Sequence, residues 1–255
     1  MSDLKSNLRD DLEPVVDPLI KCHQQTGQPL AKTFKAFINA TFASYRADRK
    51  AEREAIETYT PDPTPQLTNE VGRLFAVALG EILNVMEASE QPVIGEIYET
   101  IGATSDSWGQ HFTEWGVAKT KAELIISEES IEAASTDDPL TIADPTCGTG
   151  RLLLAAAMHI SEYNNSQTPA YFQGTEIDPI CAKMGAINLA THGMPGRVIH
   201  GDSLTLETHT VWEITPTDKV VIKEIPEDTQ NNHEEPAPNQ QELTRISMEE
   251  GRSNY

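Results

Sequence analysis

Thr141-Ile142-Ala143-Asp144-Pro145-Thr146-Cys147-Gly148-Thr149-Gly150-Arg151-Leu152-Leu153-Leu154 is the stretch that decides the fold. A short β-prone run ends in an acid. A turn follows with glycines at Gly148 and Gly150, and then an unbroken apolar run from Leu152 to Met158. Strand, glycine turn and helix in that order make a cradle for a nucleotide-like ligand. Glycine lets the backbone approach the ligand, and the helix amino end supplies N–H groups with no partner inside the helix.

The pattern repeats downstream. Ala170 to Glu176 reads as a second strand, and Asp178 caps a helix whose first residue is Pro179. Ile180, Met184 and Ile187 fall on its inner face, and Gly193 ends it. Arg197 to His200 is a third strand, followed by Gly201-Asp202-Ser203-Leu204. The βαβαβ order predicts parallel strands with right-handed crossovers. Beyond Leu206 the pattern weakens, with Val220-Val221-Ile222 as one further candidate strand. From Glu224 onward eight acids face two arginines, Arg245 and Arg252, with few large apolar residues, the composition of a disordered tail.

Upstream the chain reads as helix. Leu12, Val15, Val16, Leu19 and Ile20 recur at helical spacing, as do Phe34, Phe37, Ile38, Phe42 and Tyr45 after the turn at Gly27. Arg46 to Glu57 is a charged helical surface. Together with Lys35, residues Arg46, Arg49, Lys50 and Arg53 make this the most basic region of the chain. Pro61-Asp62-Pro63-Thr64-Pro65 breaks the run. An amphipathic helix then places Val71, Leu74, Phe75, Ala78, Leu79, Ile82, Leu83 and Met86 on one face. Shorter helices are expected over Val93 to Ile101 and Glu114 to Ile126.

Forty acids against 19 bases give a net charge of −21. Such a surface repels phosphate backbones unless a local basic patch or high salt intervenes. Acids scattered through every segment favour adaptation to a salty cytoplasm over a basic binding partner. Cys22, Cys147 and Cys181 are too few and too far apart for a disulfide framework. The seven histidines do not pair with cysteines at zinc spacing, so no metal site is expected. No apolar run is long enough to span a bilayer or resembles a leader, so a soluble cytoplasmic protein is expected.

A nicotinamide dinucleotide fold would carry Gly-x-Gly-x-x-Gly, but here the third glycine is absent. Glu176 at the end of the second strand is placed to accept both hydroxyls of a ribose. Asp202 at the end of the third could accept from an adenine amino group, and Asp144 suits a ligand carrying an ammonium group. An adenosine bearing an amino acid meets all three acids, and S-adenosyl-L-methionine is such a molecule. As single residues, Asp144 and Asp178 equally suit turn and cap roles, and Asp202 that of a loop acid.

Asp144-Pro145-Thr146-Cys147-Gly148-Thr149-Gly150 resembles the first motif of the N6-adenine DNA methyltransferases, especially the methylation subunit of type I restriction-modification systems. Gly174-Thr175-Glu176-Ile177-Asp178-Pro179 is similar to their second motif, and Gly201-Asp202-Ser203-Leu204 to their third. Gly109-Gln110-His111-Phe112-Thr113 resembles the motif that precedes the fold, although Glu114 stands where the family usually has proline. The resemblance implies an α/β fold, a Rossmann-like S-adenosyl-L-methionine methyltransferase sheet, with an all-helical N-terminal region. The expected organisation is a helical region over 1–106, the cofactor domain over 107–223, and an acidic tail over 224–255. By position, Asp144, Gly148 and Gly150 would hold the methionine end of the cofactor. Glu176 would bind the ribose, Ile177 would lie against the adenine, Asp202 would bond its amino group and Leu204 would pack on the ring. Phe112 and Thr113 would close the pocket.

The family's Asn-Pro-Pro-Tyr or Asn-Pro-Pro-Phe, which grips the target amine, is absent between Asp202 and Tyr255. Trp212, in Thr210-Val211-Trp212-Glu213-Ile214-Thr215-Pro216, is the nearest catalytic candidate. Two functions therefore stand open: methyl transfer to adenine N6 in DNA, or a cofactor-binding partner or regulatory subunit without turnover. RNA or protein methylation is a third. A separate specificity or catalytic subunit would supply the missing part.

Overall fold

The computed structural model describes residues 8–88, 93–101, 113–164, 168–216 and 222–226. A 3₁₀ turn at Asp10–Leu12 leads into α1 (Glu13–Thr26) and α2 (Leu30–Tyr45). Then come α3 (Arg49–Tyr59), α4 (Pro65–Ala88) and α5 (Ile94–Thr100), followed by α6 (Trp115–Ile125) and α7 (Glu128–Ala133). The sheet part runs β1 (Leu140–Asp144), α8 (Arg151–Asn164), β2 (Ala170–Glu176), α9 (Pro179–Thr191), β3 (Gly196–Asp202), β4 (Glu207–Ile214) and β5 (Ile222–Ile225).

Local chemistry sets the boundaries. Gly27, at φ 67°, ends α1 in the left-handed conformation that glycine adopts without strain. Asp48 caps α3 by accepting from the Ala51 N–H, and Asp178 caps α9 by accepting from Ile180 and Cys181. The α4 stripe buries Val71, Leu74, Phe75, Ala78, Ile82 and Val85. Leu83, expected on that face, is 41% exposed, and Val85 is inward in the next turn instead.

The five strands lie in sequence order, β1-β2-β3-β4-β5. β1, β2 and β3 are parallel, as the alternation of strand and helix requires, while β3-β4 and β4-β5 are antiparallel. The result is a mixed α/β fold with a helical N-terminal region. β4 is not foreseen in the sequence, and β5 runs through Ile225, past residue 223, where the cofactor domain is expected to end. α9 packs on both β2 and β3 and also against α2, so it joins the sheet to the helical region. Phe34, Phe37, Tyr59, Phe75 and Tyr98 stack in tilted and edge-on pairs within the helical core.

Candidate functional site

The glycine turn sits where the sequence predicts, between β1 and α8. Gly148 and Gly150 have φ of 54° and 83°, a conformation that a side chain would strain. The turn rests directly on β2: the Cys147 N–H donates to the Thr175 carbonyl at 2.9 Å. A Cβ on Gly174 would lie 2.6 Å from Cys147 Sγ, so the second strand needs glycine at the point where the turn crosses it.

Glu176 ties the second strand to this turn. Its Oε2 accepts from the Gly148 N–H at 2.9 Å and its Oε1 from the Asp178 N–H at 2.8 Å. Burial raises the carboxyl pKa, and those two backbone donors pull the other way. A carboxylate has about four acceptor sites, so capacity remains for a ribose hydroxyl after these bonds. Asp144 is buried at the end of β1, with Oδ1 accepting from the Thr146 N–H at 3.0 Å. The structure therefore brings Asp144, Gly148, Gly150 and Glu176 together around one turn. Ile177 follows Glu176 directly and is half-buried. Cys147 belongs to the packing: burial first, and Asp144 second, push its thiol pKa well up, which keeps it a neutral thiol.

Asp202 and Leu204 lie in the turn of the β3-β4 hairpin. Asp202 Oδ1 accepts from Leu204 N–H at 2.8 Å, and this bond leads in holding its carboxyl below the ordinary range. Leu204 is 92% exposed, so its side chain lies open to solvent. Phe112 lies outside the described residues, as does most of the Gly109 to Thr113 segment. Thr113 is described, and its carbonyl accepts from Arg151 Nη1 at 3.1 Å, which places it beside the glycine turn.

Trp212 is elsewhere. It is a strand residue on β4, not a loop residue, with β2 and β3 between it and β1. It is 4% exposed, and its ring meets Phe42 of α2 edge-on at 4.7 Å. A ring in that position packs with the helical layer rather than over the glycine turn.

Arg151 was missed as a site residue. Its Nη2 bonds Glu99 Oε2 of α5 at 2.6 Å while its Nη1 holds Thr113. One guanidinium thus ties two upstream segments to the head of α8. A signal was available: Arg151 is the only Lys or Arg between Lys121 and Lys183. A cation at a helix amino end opposes the helix dipole and calls for a carboxylate partner.

A glycine turn crossing a parallel strand that ends in a carboxylate defines an α/β protein with a nucleotide-type ligand cradle. The model of the N-6 DNA methylase family matches residues 89–244, and the chain belongs to that family. S-adenosyl-L-methionine is the cofactor this membership implies, and the cradle passes a test of fit. The positive-φ glycines leave positions 148 and 150 of the turn without side chains, and Glu176 faces it with acceptor capacity in reserve. No curated protein matches the chain. Among solved structures, it is similar to a candidate class I S-adenosylmethionine-dependent methyltransferase from Listeria monocytogenes. That match has 13% identity and a TM-score of 0.35, covering 69% of this chain and 55% of that one.

Proposed function

We propose that the chain is an S-adenosyl-L-methionine-dependent methyltransferase of the N6-adenine class, with adenine in DNA as its substrate. The observation that carries this reading is the bond between the Gly148 N–H and Glu176, which joins the first and second motifs in one cradle. Asp144 would pair with the ammonium group, Gly148 and Gly150 would admit the methionine end, and Glu176 would accept from the ribose hydroxyls. Thr113, with Phe112 before it, would flank the pocket; Ile177, Asp202 and Leu204 would serve the adenine. The cofactor supplies an activated methyl group on a sulfonium. The chain's own task is then to orient it and exclude water, which is catalysis by positioning.

The place of Trp212 favours a second reading. With that ring packed on Phe42, Trp212 is not available to the glycine turn. A cofactor-binding subunit that relies on a partner for the amine-gripping group fits this arrangement, and a type I methylation assembly would supply such a partner.

Calorimetry with S-adenosyl-L-methionine and transfer of labelled methyl to DNA together decide the matter. The methyltransferase reading expects cofactor binding that weakens at least ten-fold in Asp144→Ala or Glu176→Ala, with label appearing in DNA. Binding without transfer by the chain alone supports the subunit reading. Absence of cofactor binding by the intact protein overturns both.

A further inference from the structure

The basic region over residues 35 to 53 has no part in the cradle. Helices α2, α3 and α9 and strands β3 and β4 enclose a cleft of about 710 Å³. Four cations line it, Lys32, Lys35, Arg46 and Lys183, against two carboxylates, Glu54 and Glu224. On a chain of net charge −21 this is a local reversal of sign. Lys183 Nζ donates to the neutral Asn39 Oδ1 at 2.7 Å. Lys183 and Arg46 both stand 5.7 Å from the centroid of the Phe42 ring, so two like charges share one aromatic partner. Arg46 also pairs with Glu224 at 2.8 Å, where the carboxylate side chain is 47% exposed and the pair is weak. Burial, then the charge of Arg46, lowers the Lys183 pKa, a cost that a bound anion would relieve.

A second observation is independent of charge. Trp212 lines the same cleft, and its buried indole N–H has no acceptor among the described residues. The cleft is thus rich in donors and poor in acceptors, which suits phosphate oxygens. Outside the cleft the charge is balanced: on the exposed side of α3, Arg49 pairs with Glu52 at 3.0 Å and Arg53 with Glu57 at 2.9 Å. The excess of cations is therefore confined to the cleft, where four of them spread over α2, its C-cap and α9 match successive phosphates of a chain. Pro179 and His200 line the other wall, and His200 stands in register with Glu176, so a strand held here passes beside the cofactor cradle.

We propose that this cleft grips the phosphodiester backbone of DNA, with Lys32, Lys35, Arg46 and Lys183 as its phosphate contacts. The choice of DNA rests on the methyltransferase reading. The test is fluorescence anisotropy of labelled DNA, duplex and single-stranded, with the intact chain between about 50 and 200 mM salt. Replacing Lys35→Gln with Arg46→Gln lowers the slope of log affinity against log salt by about 1.8, at about 0.9 per phosphate contact on duplex. Lys32→Gln, at an exposed position, lowers it by about 0.9 with no loss of packing. Lys119→Gln on α6, paired with Glu162 at 3.6 Å, leaves it unchanged. Cofactor affinity stays the same in all three, which shows that each is folded. An unchanged slope in the cleft variants overturns the proposal, as does tighter binding of RNA of the same sequence. Cofactor binding without DNA binding removes this inference and leaves the cradle reading; DNA binding through the cleft without cofactor binding does the reverse.

Discussion

Thr149 is the residue on which the glycine turn meets the helical region. It is wholly buried between Gly148 and Gly150, and a Cβ on Gly95 of α5 would lie 2.6 Å from its Oγ1. That hydroxyl has no hydrogen-bond partner among the described residues, so its loss alone is cheap. Gly95→Ala is expected to cost about 1–3 kcal/mol by overpacking and to weaken cofactor binding by displacing the turn. Thr149→Ala in the same chain removes the obstructing atom and restores both, because the remaining contact is the ordinary 3.4 Å. Thermal unfolding and calorimetry on the three variants check this; a neutral Gly95→Ala would refute it. Glu176 gives a second residue-scale prediction. Ribose hydroxyls donate, so they need the ionised carboxylate, and its pKa lies above the ordinary value because the group is buried. Cofactor affinity therefore falls as pH drops through that raised value, earlier than for an exposed glutamate. The sign for stability is opposite. The native state holds this proton more tightly than the unfolded chain, so the Glu176 contribution rises as pH falls from the native pKa toward the unfolded one. Glu176→Gln flattens both trends, and binding isotherms and melting curves across acidic pH read them separately.

At the scale of elements, legibility followed the number of local signals. α9 was plain because a cap, a proline at the first position and a terminal glycine all lie within its own sequence. β2 was plain from its apolar run and the acid that ends it. β4 was missed because Thr208, His209 and Thr210 dilute its apolar alternation, and what makes it a strand is pairing with β3 across the hairpin. The same pairing removed Trp212 from the site, since its sequence placed a ring near an expected loop and its partner Phe42 lies 170 residues earlier. The Arg151 tie was missed because neither Glu99 nor Thr113 is near it in sequence, yet it is what couples α5 to α8. Arg151 has a side-chain exposure of 10% and Glu99 of 37%, so the pair is only partly screened. Glu99→Gln is expected to destabilise by about 1–2 kcal/mol, the low end for hydrogen bonds to charged groups because solvent partly screens the exposed Glu99 side. The loss concentrates in α5. Hydrogen exchange therefore speeds up in α5 before it does in β2, and uniform acceleration across both elements would contradict the assignment.

For the whole molecule, charge is the property that composition reveals and local motifs do not. A net charge of −21 reads as repulsive to DNA, and the local exception is legible in sequence only in part. The run from Lys35 to Arg53 is visible in sequence, whereas Lys183 and Trp212 join it only when α9 and β4 pack against α2. Acidic self-repulsion and a basic cleft respond to salt in opposite directions. Raising salt from about 0.1 to 1 M shortens the Debye length from about 10 to 3 Å, which quiets repulsion among the surface carboxylates. The melting temperature is therefore expected to climb with potassium chloride, by about 2–4 °C for each kcal/mol of repulsion removed. DNA binding weakens over the same range as counterions compete for the cleft. Lys35→Gln with Arg46→Gln removes two positive charges, so it steepens the rise in melting temperature while flattening the fall in DNA affinity. A neutral osmolyte such as sucrose raises stability through exclusion from the surface, and that gain is the same in the parent and the variant. Scanning calorimetry in matched salt and sucrose series separates the two causes. A melting temperature that ignores salt, or a variant whose salt response matches the parent, would show that the acids do not act as a collective charge.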